Sequence, residues 1–142
     1  MRRVDRLSVL LIVFGFVFGA PDAWTQQPVP STRETDDQAW RAVDQRIQLV
    51  WNRFCALLRA GDVESALQYF EDDSRERYAE VLRSLGGAVR QLPASWSEIK
   101  MIQEFGRFAR YSVVTTDEAG ERRLHELVFV RDEDGRWFLD SL

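Results

Sequence analysis

Apolar residues in this chain recur every three or four positions as far as Leu85, and every second position from Trp96 onward. The switch falls beside Pro93. A period near 3.6 marks an amphipathic helix, and a period of two marks a half-buried strand. The chain therefore reads as helices first and strands afterwards. That order predicts an α+β domain, with the helices gathered on one face of a curled antiparallel sheet. A length of 142 residues suits a single domain.

Three helices are expected. Thr35-x-x-Gln38 fits a capping box that opens a long helix over about residues 36–60. Its apolar stripe is Trp40, Val43, Ile47, Val50, Trp51, Phe54 and Leu58, and Gly61 is placed to stop it. Asp62 then caps a short helix that buries Ala66, Leu67 and Phe70. Asp73-x-x-Glu76 is a second capping box, opening a helix whose stripe is Tyr78, Val81, Leu82 and Leu85. Gly86-Gly87 ends that helix. The charges of "EDDSRERY" all have capping or solvation roles, so this stretch reads as scaffold.

Four strands are expected over Trp96–Phe105, Phe108–Thr116, Arg122–Arg131 and Trp137–Leu142. Gly106, "DEAG" (117–120) and "DEDG" (132–135) supply the turns of an antiparallel meander. Tyr111, Val113, Leu127 and Phe129 point one way; Phe108, Val114, Val128 and Val130 point the other. Trp137 and Phe138 also split between the faces. Both faces are thus apolar, whereas a sheet with one wet face alternates cleanly. Three helices cover one face, so the other calls for a partner protein, a second copy of the chain, or a small apolar ligand. Tyr111, Leu127, Phe129 and Phe138 are the candidate contact residues. Arg110 and Glu126 are placed to pair across a hairpin.

The opening "MRRVDRLSVLLIVFGFVFGAPDAW" has a basic head and an apolar run of 14 residues, Leu7–Ala20. A membrane-spanning helix needs about 20 apolar residues, so this run fits a signal peptide better than an anchor. A cut after Gly19 suits the small-residue rule, with cuts after Ala20 or Ala23 less favoured. The expected organisation is a signal peptide over residues 1–23, a flexible linker over 24–36 carrying Pro28 and Pro30, and a domain over 37–142. The destination is the periplasm or the cell exterior. The alternative is an inner-membrane anchor formed by residues 7–20.

The net charge is −4, and removing residues 1–19 with their three arginines and one aspartate makes it about −6. No basic stripe remains to meet phosphates, which argues against nucleic acid. Cys55 is the sole cysteine, so no internal disulfide forms, and its place on the apolar stripe beside Phe54 and Leu58 reads as core. One Cys and one His fall short of a structural zinc site. Phosphate-loop, dinucleotide, serine-hydrolase and zinc-peptidase motifs are absent, and no cofactor is indicated.

The stretch "FCALLRAGDVESALQYF" (54–70), then "SRERY" (74–78), and the terminal "VFVRDEDGRWFLDSL" (128–142) resemble the nuclear transport factor 2-like superfamily, also called the SnoaL-like or cystatin-like cone fold. The likeness covers about residues 38–142 and rests on a helix stop at "GD" and a last hairpin with "DGxW". It implies a cone-like domain and is strongest with small exported members of that group. Because one cone serves many functions, the resemblance implies no particular activity. Enzymes of the fold use an Asp or Glu with a His or Tyr inside the cone. Here that chemistry falls to His125, Asp140 and Tyr111. With a four-residue "DEDG" loop, Leu127 lies opposite Asp140, and His125 sits about 7–8 Å away on the same face. A one-residue slip removes the pairing. The function read from the sequence is an exported, non-enzymatic binding domain. The alternative is a small isomerase, dehydratase or hydrolase using a His-Asp or His-Tyr pair.

Overall fold

A computed structural model of the protein describes residues 32–142. Helix α1 spans Thr32–Ala60, four residues longer at its start than the capping box at Thr35 implied. Its first turns hold no Gly or Pro to break them. They also bury nothing: residues 33–42 are exposed, and Trp40 keeps 40% of its surface. The packed part of the stripe begins at Val43 and runs through Ile47, Trp51, Phe54 and Leu58. The helix stops as expected at Gly61, whose φ is +79°. The Gly61 N–H donates to Leu58 O at 2.9 Å, and the Asp62 N–H to Leu57 O at 3.0 Å. This pair of bonds satisfies two orphan carbonyls of the last turn. A side chain at 61 would be strained by its φ and would meet the Arg90 guanidinium at 2.6 Å.

Helix α2, Val63–Leu67, starts on Asp62, whose carboxylate accepts from the Ser65 N–H at 3.1 Å. Helix α3, Asp72–Ser84, starts earlier than the Asp73-x-x-Glu76 box implied. Its cap is Glu71, accepting from the Asp73 N–H at 2.9 Å. The reason is tertiary. The Leu139 N–H donates to Tyr69 O at 2.7 Å and the Glu71 N–H to Leu139 O at 2.8 Å, which pins the chain before the helix. A fourth helical element corrects the count of three. After α3 ends, Gly86–Ser95 continues as a 3-10 helix that buries Val89 and Pro93 against α1 and α3. The glycines end the α-helix but not the coiling.

Strands β1 (Lys100–Phe105), β2 (Phe108–Thr116), β3 (Arg122–Arg131) and β4 (Trp137–Ser141) form an open antiparallel sheet in sequence order. It does not close into a barrel. Residues 96–99, expected as strand, make only an isolated bridge at Trp96–Thr115 and one backbone bond from Ser97 to Val114. Every buried strand residue has one parity: Ala109, Tyr111, Val113, Leu127, Phe129, Trp137 and Leu139. This inner face meets the helices through an aromatic core. Phe54 packs edge-on to Phe70 at 5.4 Å, Phe70 stacks on Tyr78 at 4.5 Å, and Tyr111 meets Phe129 at 5.3 Å. No residue of the outer parity is buried. The β4 edge is covered by residues 69–71, while β1 is the free edge, broken by a bulge between Met101 and Gln103.

Candidate functional site

The structure gives His125, Asp140 and Tyr111 three separate partners. His125 is exposed, opposite Val113, with its Nε2 2.9 Å from Thr115 Oγ1. Tyr111 lies diagonally across on the same face, but it is fully buried and its hydroxyl donates to Asp44 Oδ1 of α1 at 2.9 Å. Asp140 accepts from Ser74 Oγ of α3 at 3.3 Å. The register is the cause. The β3–β4 loop is one residue longer than "DEDG", because the Asp132 N–H donates to Arg136 O and Asp132 Oδ1 holds the Arg136 N–H. Arg131 therefore faces Trp137, and Phe129 faces Leu139. Asp140 is then the extra residue of a bulge, since Val128 pairs with Ser141.

The contact residues need a correction of the same kind. Tyr111, Leu127 and Phe129 are each 0% exposed beneath the helices, so they cannot form an open face. Only Phe138 of the four has the outer parity. The period of two showed two apolar faces but not which one the helices would take. The outer face is also less uniformly apolar than expected. At one end Phe105, Phe108, Val130 and Phe138 are successive cross-strand partners, making one apolar row over all four strands. Phe105 and Phe108 stack at 5.7 Å and stay 48% and 42% exposed. The middle is a charged belt, in which Arg110 grips Glu126 with two bonds of 2.8 and 2.6 Å. That bidentate contact holds the Glu126 carboxyl below its ordinary range. Val114 and Leu124, a cross-strand pair, restore apolar surface at the far end.

A groove of about 460 Å³ lies between α1 and residues 93–99. Asp44, Gln48, Trp51 and Cys55 line it from α1, with Trp96 and Glu98 opposite. Sequence reasoning missed Asp44 and Gln48. Their signal was a polar pair at i, i+4 running along the flank of the apolar stripe. Gln48 Nε2 donates to Ile99 O at 3.1 Å and ties the groove's two walls together. Cys55 is buried, as expected of core, and burial pushes its thiol up to about 11. Burial, then the bond to Asp44, raises the Tyr111 hydroxyl well above the phenol range. Tyr111 thus acts as a donor locking the sheet to α1. Among the described residues, no three His, Cys, Asp or Glu side chains are grouped to hold a metal ion.

The sign of the Tyr111 shift gives a prediction. A phenol whose folded pKa is raised keeps its full contribution to stability below the unfolded value of about 10. Above that pH only the unfolded chain ionises, and the stability is lost as pH rises. The urea midpoint is expected to fall above about pH 10, and the fall in Tyr111→Phe to be shallower. Equal slopes in the two proteins would rule out the coupling.

Trp137 is 5% exposed, and its Nε1 is the one buried side-chain nitrogen or oxygen without a partner among the described residues. An unmet buried donor costs about 1–3 kcal/mol. The apolar run at 7–20 and the rest of residues 1–31 lie outside the described residues. Among the described residues, no helix is long and apolar enough to cross a membrane. Comparison with protein-family models and with curated proteins found no match.

Proposed function

We propose that this chain is an exported, non-enzymatic binding domain that docks a partner protein, or a second copy of itself, on the outer face of its sheet. The observation that carries the proposal is the row Phe105–Phe108–Val130–Phe138, which leaves two stacked phenylalanines nearly half in solvent. Exposed apolar surface of this kind, rimmed by charge, is what interfaces are built from. The row is open and lies on one side of the sheet. A small ligand needs enclosure on most sides, so a protein surface suits the row better. The face is also self-complementary in pattern. A two-fold through its middle sets Arg110 of one copy near Glu126 of the other, and the phenylalanine row against Val114 and Leu124.

Export rests on the basic head and the apolar run before residue 20. Kinship with the nuclear transport factor 2-like cone is part of the same proposal, supported by the order of helices followed by a meander. The acid–base reading has less support, because His125, Asp140 and Tyr111 each hold a different partner.

The test is site-specific photo-crosslinking in fractionated cells, with the crosslinker at 108 and a control at 123. A discrete adduct from 108 alone is expected, on a chain lighter by about 2 kDa in the exported fraction. An adduct at twice the chain mass identifies a second copy, and any other mass a different partner. No adduct from 108 sinks the docking reading. A full-mass chain in the membrane fraction replaces release with anchoring.

A further inference from the structure

Trp137, which carries the orphaned indole N–H, is one of the residues that line a cleft, and the composition of that cleft suggests what it takes. The cleft, of about 350 Å³, lies at the covered edge of β4 between α1, the end of α2 and the β3–β4 turn. Val50, Tyr69, Trp137 and Phe138 give it apolar walls, while Arg46 and Arg136 bring positive charge. No acidic residue lines it, although the chain as a whole is net negative. Arg136 is engaged by Asp132 at 2.8 Å and Asp134 at 3.3 Å, and its guanidinium lies over Phe138 at 5.6 Å. Arg46 has no ion pair among the described residues, so its charge is the uncompensated one. The guanidinium of Arg131 lies over the Trp137 ring at 5.4 Å, leaving the in-plane N–H as the group without a partner.

We propose that this cleft binds a small apolar carboxylate, with the carboxylate held by Arg46 and the Trp137 N–H and the apolar body against Val50, Tyr69 and Phe138. A carboxylate oxygen accepts from an indole N–H and from a guanidinium, and both are among the donors of the lining residues. The apolar walls favour an organic anion over an inorganic one, since a naked inorganic anion gains nothing from them. Nε1 is covered in this structure, so the acceptor displaces side chains of the cleft's rim as it enters. The cleft shares Phe138 with the docking row but none of the row's other residues, and neither reading depends on the other.

The experiment is a titration of the full chain labelled with nitrogen-15 at its five tryptophans, following indole N–H resonances. Trp137 is assigned by its loss in Trp137→Phe, or through backbone connectivity if that variant does not fold. The probes are hexanoate, phenylacetate, inorganic phosphate and hexanol. The Trp137 indole proton is expected to move downfield and saturate with the two carboxylates, and to stay in place with phosphate and hexanol. Arg46→Gln, a surface change, should weaken carboxylate binding about tenfold while leaving the other indoles unmoved. A Trp137 signal that stays still with both carboxylates overturns the proposal. So does a shift that phosphate or hexanol reproduces, or one that Arg46→Gln leaves unchanged.

Discussion

Phe129→Asp is expected to yield no folded protein. Phe129 is 0% exposed, faces Leu139 across β4 and meets Tyr111 edge-on at 5.3 Å. Removing a buried phenylalanine costs about 3–5 kcal/mol on its own. An unpaired carboxylate in the same place adds several kcal/mol more, or must protonate to remain there. Together these approach the whole stability of a domain this size, about 5–15 kcal/mol. Far-ultraviolet circular dichroism and a thermal melt decide the matter. A cooperative transition near that of the natural protein would mean that Phe129 does not sit beneath the helices.

Phe108→Asp, one pleat away in parity, is expected to do the opposite. Phe108 pairs with Val130 on the outer face and is 42% exposed, so the new carboxylate stays in water. The fold should be retained, at a cost of about 1–2 kcal/mol from the lost stack on Phe105 and the poor strand propensity of Asp. Association should suffer, because a central aromatic of an interface is worth about 2 kcal/mol or more, roughly thirtyfold in affinity. Sedimentation velocity of the processed chain over a concentration series measures self-association directly. If the natural protein self-associates and Phe108→Asp matches it, the row is not the interface. If the natural protein is monomeric, the second copy is excluded and the 108 crosslink alone carries the search for a partner.

Much of the fold was legible because it is written in short-range chemistry. The stop at Gly61, the Asp62 cap, the places of the three hairpin turns and the bounds of β2 and β3 follow from neighbouring residues, and the structure has them. Other features depended on distant partners. Glu71 rather than Asp73 caps α3 because Leu139, far along the chain, pins the backbone ahead of it. The capping box was a sound local reading overridden by a strand edge. The early start of α1 had no local signal, since residues 33–39 are exposed and hold no large apolar side chain to mark a period.

The candidate site was less legible than the fold. Alternation assigns residues to two faces but does not say which face meets the helices, so Tyr111, Leu127 and Phe129 were placed on the wrong side of that choice. Register across the β3–β4 loop turned on one residue, Arg136, whose side chain and backbone both bond to Asp132. That residue moves Asp140 into a bulge beside Ser74 and away from the strand position assumed for it. Asp44, Gln48 and Arg46 lie off the apolar stripe of α1 and went unremarked, because their meaning lies in what α1 packs against.

By itself the sequence determined the α+β order, the antiparallel meander and the presence of apolar residues on both sheet faces. Those follow from period and turn chemistry, which act over a few residues. The tertiary structure decided which face the helices cover, where the β4 register falls, and that an indole N–H is buried without a partner. Those depend on contacts between residues far apart in the chain, where a one-residue shift reverses a side chain's face while hardly changing the local pattern.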